Sequence, residues 1–205
     1  MRYANKPYSE ACEQNKGPIL AVLQEVFTQP GTVLEIGSGT GQHAVYFARQ
    51  LPHLVWQPTD ITAYLPGIRM WLEEADLPNL CTPLVLDVSC KPWPITRVDG
   101  VFSANTTHIM SWPQVQHLFA GIGEVLIAGG CFCLYGPFNY GGRYTSDSNA
   151  RFDQMLKMRD PQSGIRDFAD LNALAKEAGL VLVKDYPMPI NNRTLVWRKS
   201  GIRAT

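Results

Sequence analysis

Three glycines at alternate positions, Gly37, Gly39 and Gly41, follow directly on the short run Val33, Leu34, Glu35 and Ile36 and precede helix-forming residues 44–50. Strand, tight turn and helix is the order this pattern predicts. Glycine at such a turn lets the chain adopt left-handed angles. It also brings backbone close to a ligand and opens a helix whose first amides face outward. A turn of this kind belongs at the carboxyl end of a parallel strand, where open α/β sheets bind their ligands.

The rest of the chain repeats the alternation. A short helix is expected over residues 19–27, opened by Gly17 and Pro18 and stopped by Pro30 and Gly31. Strands are expected over 54–57, leading to Thr59 and Asp60, over 83–88 with Asp87 near its end, and over 98–103. A further strand spans 131–135, set off by a stop at Gly129 and Gly130. Helices are expected over 67–75, 115–127, 149–159 and 167–178, and a closing pair of strands over 180–184 and 194–198. This is the signature of an α/β fold with a mostly parallel sheet. At about 150 residues per domain, the 205 residues give one domain. It is placed at residues 15–205, behind a polar leader, 1–14, whose Tyr3, Asn5, Lys6, Pro7 and Tyr8 suit a lid.

Composition removes several classes of function. Eighteen Lys and Arg balance eighteen Asp and Glu, so no excess of basic charge exists to track nucleic-acid phosphates. No run approaches the ~20 apolar residues that span a bilayer. Five cysteines, Cys12, Cys81, Cys90, Cys131 and Cys133, include no CxxC pair; they read as reduced thiols of a cytoplasmic protein with no metal site. Cys131 and Cys133 share one face of a buried strand, as small hydrophobes do.

The glycine turn discriminates between cofactors. A dinucleotide fingerprint requires Gly or Ala at its sixth position, where this chain has Gln42. A carboxylate at Glu35 suits a cationic ligand better than a pyrophosphate. S-adenosylmethionine (SAM), with an ammonium, a sulfonium and no phosphate, meets that requirement. Asp60, at the end of the second strand, is placed to accept ribose hydroxyls, and Asp87, at the end of the third, to accept the adenine amine.

These residues carry a resemblance. The turn resembles the first motif of class I SAM-dependent methyltransferases. The chain as a whole resembles the methyltransferase-like family known as domain of unknown function 938. The matching pieces are residues 15–20, the glycine turn, residues 103–112, Gly136 with Pro137 and Phe138, and residues 188–192. Gln14 stands where the family resemblance leads one to expect arginine. The resemblance implies a Rossmann-like fold with a seven-stranded, mostly parallel sheet, a terminal antiparallel strand and helices on both faces. It implies a SAM site at Glu35, Gly37, Ser38, Gly39, Gly41, Asp60, Asp87 and Asn105.

For the acceptor side, Asn105 and His108 follow the fourth strand and are expected over the transferred methyl. His108 is the candidate general base, since an unperturbed imidazole has a pKa of ~6.5. Asn139 and Arg143, after the fifth strand, and Asn191 and Asn192, between the last two, are expected to wall the acceptor pocket. His43, His53 and His117 read as core or surface residues. The expected reaction is methyl transfer to a small molecule, with S-adenosylhomocysteine (SAH) as product. The alternatives are a SAM-binding interaction protein without turnover and a nicotinamide-dependent oxidoreductase, the latter disfavoured by Gln42 and Glu35.

Overall fold

The computed structural model describes residues 6–201. Tyr3 and Asn5 of the expected lid lie outside the described residues. The elements run α1 (Glu10–Val26), β1 (Gly31–Ile36), α2 (Gln42–Gln50), β2 (Leu54–Asp60), α3 (Leu65–Ala75), β3 (Leu84–Val85) and β4 (Val98–Ala104). They continue with α4 (Trp112–Val125), β5 (Leu126–Gly136), β6 (Phe138–Asn139), α5 (Asp147–Arg159), β7 (Arg166–Asp167), α6 (Phe168–Glu177), β8 (Leu180–Met188) and β9 (Asn192–Lys199).

Seven strands form one sheet in the order β3-β2-β1-β4-β5-β9-β8, parallel except for β9, which runs antiparallel to both its neighbours. The last strand in sequence is thus the antiparallel one, inserted between β5 and β8 rather than set at the edge. The chain leaves β1 toward β2 and β3, then returns to start again at β4 on the other side of β1. The carboxyl ends of β1 and β4 therefore flank the switch point at which sheets of this kind open a crevice.

Alternation along β1 feeds two cores. Leu34 and Ile36 pack on one face with Phe119, Phe132 and Trp197, under α4 and α6. Val33 packs on the other with Ile19, Phe47, Trp56 and Phe102, under α1 and α2. Helices cover both faces, as the alternating pattern requires.

Several boundaries differ from the sequence reading, each for a physical reason. The first helix begins nine residues earlier, at Glu10, and runs through Gly17 and Pro18. Ser9 caps it by accepting from the Cys12 amide, and Glu10 and Glu13 face the positive end of its dipole. Strand β5 does not stop at Gly129 and Gly130 but passes through them. A register shift opposite Val98 and Gly100 absorbs the left-handed Gly129, and a side chain on Gly130 would lie 2.6 Å from the Asp99 carbonyl. Strand β3 holds only two residues, because Leu86 and Val88 turn inward to the core. The final hairpin loop shrinks to residues 189–191, with Ile190 and Asn191 both at φ 57°. A two-stranded sheet of β6 and β7 has no counterpart in the sequence reading.

Candidate active site

A cleft of about 790 Å³ opens over the carboxyl ends of the sheet, within the range of small-molecule sites. Gly37, Ser38, Gly39, Asp60, Asp87, Asn105, His108 and Asn192 line it. The structure therefore brings eight of the sequence-selected residues to one cavity, from five separate segments. Glu35, Gly41, Asn139, Arg143 and Asn191 are not on its wall.

The turn is held from β2. The amides of Gly37 and Ser38 both donate to the Thr59 carbonyl at 3.0 Å, and the Gly39 amide donates to Asp60 Oδ2 at 2.8 Å. The other Asp60 oxygen accepts from the Ile61 amide at 2.8 Å. Gly39, at φ 58°, presents its Cα to open space, and a Cβ there would meet nothing within 4 Å. This is a cradle shaped for the close approach of a ligand to backbone. Burial raises the Asp60 pKa, against the two amide bonds that lower it. Asp87 projects from the segment after β3 and accepts from the Ser89 amide at 2.9 Å.

Glu35 does not face the ligand space as the sequence reading expected. The two-residue period of β1 turns it to the same face as Val33, where Trp56 Nε1 donates to its carboxylate at 2.9 Å and only 2 % of it is exposed. Desolvation pushes its pKa to about 7, helped by the nearby charge of Asp60 and opposed by the Trp56 and Ser38 hydrogen bonds. It braces the turn from behind.

Past β4, Asn105 takes a left-handed conformation at φ 58° and its amide donates to the Tyr135 carbonyl at 2.9 Å. The chain then folds back so that Thr106 reaches Ser103, with hydroxyls 2.7 Å apart, and His108 comes to the cavity wall. His108 stacks edge-on against Phe152, and its Nδ1 is buried without a hydrogen-bond partner. Desolvation, with the charge of Arg166 second, lowers its pKa to about 4. The unperturbed value expected from sequence therefore does not hold, and the ring is neutral at pH 7.

A protein-family model described as "Protein of unknown function (DUF938)" matches residues 6–199. The chain belongs to the DUF938 family. The DUF938 chain also superposes on solved structures. One is an O-methyltransferase family protein from Burkholderia thailandensis, with TM-score 0.82, 16% identity, 95% of this chain and 59% of that chain covered. A second is the S-adenosylmethionine-dependent methyltransferase SibL in its apo form, with TM-score 0.78, 24% identity and coverage of 93% and 56%. A third is human N-acetylserotonin methyltransferase in complex with SAM, with TM-score 0.76, 17% identity and coverage of 94% and 53%. These likenesses give the DUF938 protein the Rossmann-like fold of class I SAM-dependent methyltransferases. It spans little more than half the length of each of the three.

The remaining selected residues of this DUF938 protein have other surroundings. Arg143 is exposed on a turn closed by reciprocal backbone bonds with Tyr140, across the left-handed Gly141 and Gly142. Asn139 lies in β6, with a buried, unpartnered Oδ1. Asn191 is spent on the hairpin turn, and its carbonyl accepts from Asn149 Nδ2 at 3.2 Å. Gly41 is the left-handed residue that opens α2.

Sequence reasoning missed several cleft residues. Ser9 and Cys12 reach the wall because α1 starts early, beside Gln14, the position already marked in the sequence, and Asn149 and Phe152 reach it from α5. His43 is a buried residue, as read, yet also lines the cleft, with its Nε2 2.7 Å from Asn15 Oδ1 and its pKa lowered to about 4 by burial. Arg166 holds the loop that carries His108: Nε donates to the Thr107 carbonyl at 3.0 Å, and Nη2 to the carbonyls of Met110 and Gln162. Only Ser9, as a helix cap three residues before a possible partner amide, left a signal in sequence.

These buried groups set an acid response. His43 and His108 have folded pKa values below the unfolded ~6.5, so each contributes stability that is full above pH 6.5 and is lost as pH falls toward 4. Glu35 has a raised value, so its contribution is present at low pH and is lost as pH rises toward 7. Between pH 4.5 and 6.5 the two histidines outweigh the one carboxyl. Unfolding then takes up about one net proton from this trio, worth about 1.4 kcal/mol per pH unit. Urea midpoints are expected to fall on acidification across that window and to flatten in His108→Gln, where one histidine and Glu35 cancel. An unchanged slope in the variant would refute the assignment.

Proposed function

We propose that this DUF938 protein is a SAM-dependent methyltransferase acting on a small-molecule acceptor and releasing SAH. The observation that carries this reading is the use of the turn's amides. In a dinucleotide site the amides of the glycine turn point at a pyrophosphate. Here Gly37, Ser38 and Gly39 all donate to β2, and the carboxylate of Asp60 stands against Gly39. A phosphate would meet spent donors and a negative charge; a cationic cofactor without phosphate meets neither difficulty. Gly39 leaves room for its backbone approach.

In this reading Asp60 accepts the ribose hydroxyls, Asp87 the adenine amine, and Ser38 and Asn105 edge the methionine portion. SAM supplies a methyl group on a sulfonium that is already a good leaving group. The protein aligns the acceptor with it, excludes water and receives the acceptor's proton. His108, neutral at the cleft wall, accepts the hydrogen bond and orients the acceptor. Residues 6–14 act as a cover: the Pro7 carbonyl accepts from Trp71 Nε1 at 2.7 Å, and the Ser9 amide donates to Gln42 Oε1 at 2.6 Å. In this reading they belong to a lid of residues 1–14 in front of a catalytic domain of residues 15–205, and α1 is continuous across that boundary. Among the described residues no helix is long and apolar enough to cross a membrane, and the five cysteines are free, in keeping with a cytoplasmic setting.

Calorimetric titration with SAM, SAH and NAD tests the reading. Micromolar binding of SAM and SAH with none of NAD is expected; tight NAD binding, or none of the three, would overturn it. Asp60→Ala is expected to weaken SAM binding about 10- to 100-fold, the value of one or two hydrogen bonds to a charged acceptor. Unchanged affinity in that variant would remove Asp60 from the site.

A further inference from the structure

The half of the cleft beyond β4 has a distinct chemistry. Its walls come from the loops after β4 and β5, from α5 and from the β8–β9 hairpin, all on the far side of β1 from β2 and β3. Met110, Phe152, Ile109 and Ile190 line it, the last two exposed at 57% and 71%, beside the uncharged Asn149 and Asn192, whose side-chain amides donate to the protein's own oxygens. Ile61 and Tyr64, also exposed, line the cleft from the β2 side. Single exposed apolar residues are ordinary, but four on the wall of one cleft make an apolar entrance.

Charge points the same way. Among the described residues, no Lys or Arg lines the cleft, and its two fixed charges are the carboxylates of Asp60 and Asp87. The guanidinium of Arg166, which holds the loop carrying His108, is committed to three backbone carbonyls. His108 is the polar group on this wall whose buried Nδ1 lacks a partner. A neutral imidazole offers an acceptor for an O–H or N–H but no charge to pair with an anion.

We propose that the acceptor is an uncharged, lipophilic small molecule bearing an O–H or N–H, and that the cleft rejects carboxylated and phosphorylated molecules. This rests on the methyltransferase reading. A carboxylate would be desolvated on a wall of apolar and uncharged polar side chains, with two aspartates facing the same cavity and, among the described residues, no cation to compensate. A cationic acceptor would approach the sulfonium. For a hydroxyl acceptor the balance is simple. The oxygen forms its bond to the methyl carbon as the carbon–sulfur bond breaks, the electron pair stays on sulfur, and the hydroxyl proton leaves by way of His108 to water.

Equilibrium dialysis on SAH-saturated protein tests this with matched pairs: methyl 4-hydroxybenzoate against 4-hydroxybenzoate, and 1-octanol against octanoate. The neutral members are expected to bind saturably and the acids at least about 30-fold more weakly, the cost of an unpaired charge in a dry site. Ile109→Lys adds a cation at an exposed rim position and is expected to narrow that ratio severalfold. Acids binding as well as their neutral partners, no saturable binding of either neutral compound, or a ratio unmoved by Ile109→Lys would overturn the proposal. Failure of SAH itself to bind would instead sink the methyltransferase reading, and the same pairs run on the free protein would still report the preference of the cleft.

Discussion

His108→Ala is expected to bind SAM as the parent protein does and to turn over at least about 100-fold more slowly, the usual contribution of a positioned proton acceptor. The two effects separate because the glycine turn, Asp60 and Asp87 belong to β1, β2 and the segment after β3, whereas His108 stands three residues beyond Asn105 in the loop after β4. That loop keeps its shape without the imidazole. The carbonyl of residue 108 accepts from the Gly164 amide at 2.9 Å, and Arg166 grips residues 107 and 110. The pH–rate profile carries independent information. With a pKa near 4, His108 is neutral across the working range, so no inflection is expected near 6.5. A rate that halves at pH 6.5 in the parent and not in the variant would show a solvated imidazole and contradict the buried one. SAH formation from labelled SAM, measured with any acceptor that turns over, decides the first point.

The second large effect divides the glycine turn into a part that builds the fold and a part that admits the ligand. In Gly37→Ala the new Cβ would lie 2.5 Å from Thr106 Cγ2, at a φ of 75° that L-residues avoid. Thr106 cannot simply swing away, because its hydroxyl is bonded to Ser103. Strained backbone and overpacking together are expected to cost about 3 kcal/mol, read as a lower urea midpoint. Gly39→Ala meets no atom within 4 Å, so only the left-handed angle is penalised, by about 1–2 kcal/mol. Its methyl stands in the cleft instead, and SAM affinity is expected to fall at least about tenfold, as a steric block at a close backbone contact does. Equal stability losses in the two variants, or a Gly39→Ala protein with parental affinity, would count against this division.

The reach of the sequence follows from the range over which each signal acts. Alternating strands and helices, and a glycine turn after an apolar strand, are local patterns, and they were enough to predict a mostly parallel α/β sheet with a glycine turn at the end of β1 that lines the cleft. The same locality explains Asp60 and Asp87, which stand at the ends of predicted strands and do reach the cleft. Locality also explains the errors. Gly129 and Gly130 read as a stop, but pairing with β4 carries the strand through them. Glu35 read as a ligand contact, but the period of β1 and the indole of Trp56 hold it behind the turn.

What the sequence by itself determined was the class of fold, the glycine turn and the order of the acidic strand ends, since each depends on neighbours in the chain. What only the tertiary structure decided was which side chains share the cleft. α1 and α5 bring Ser9, Cys12, Asn149 and Phe152 to it from distant parts of the chain, while tight turns carry Arg143 and Asn191 off its wall. The neutrality of His108 was decided there too, because desolvation is a property of the packed surroundings and leaves no trace in the order of residues.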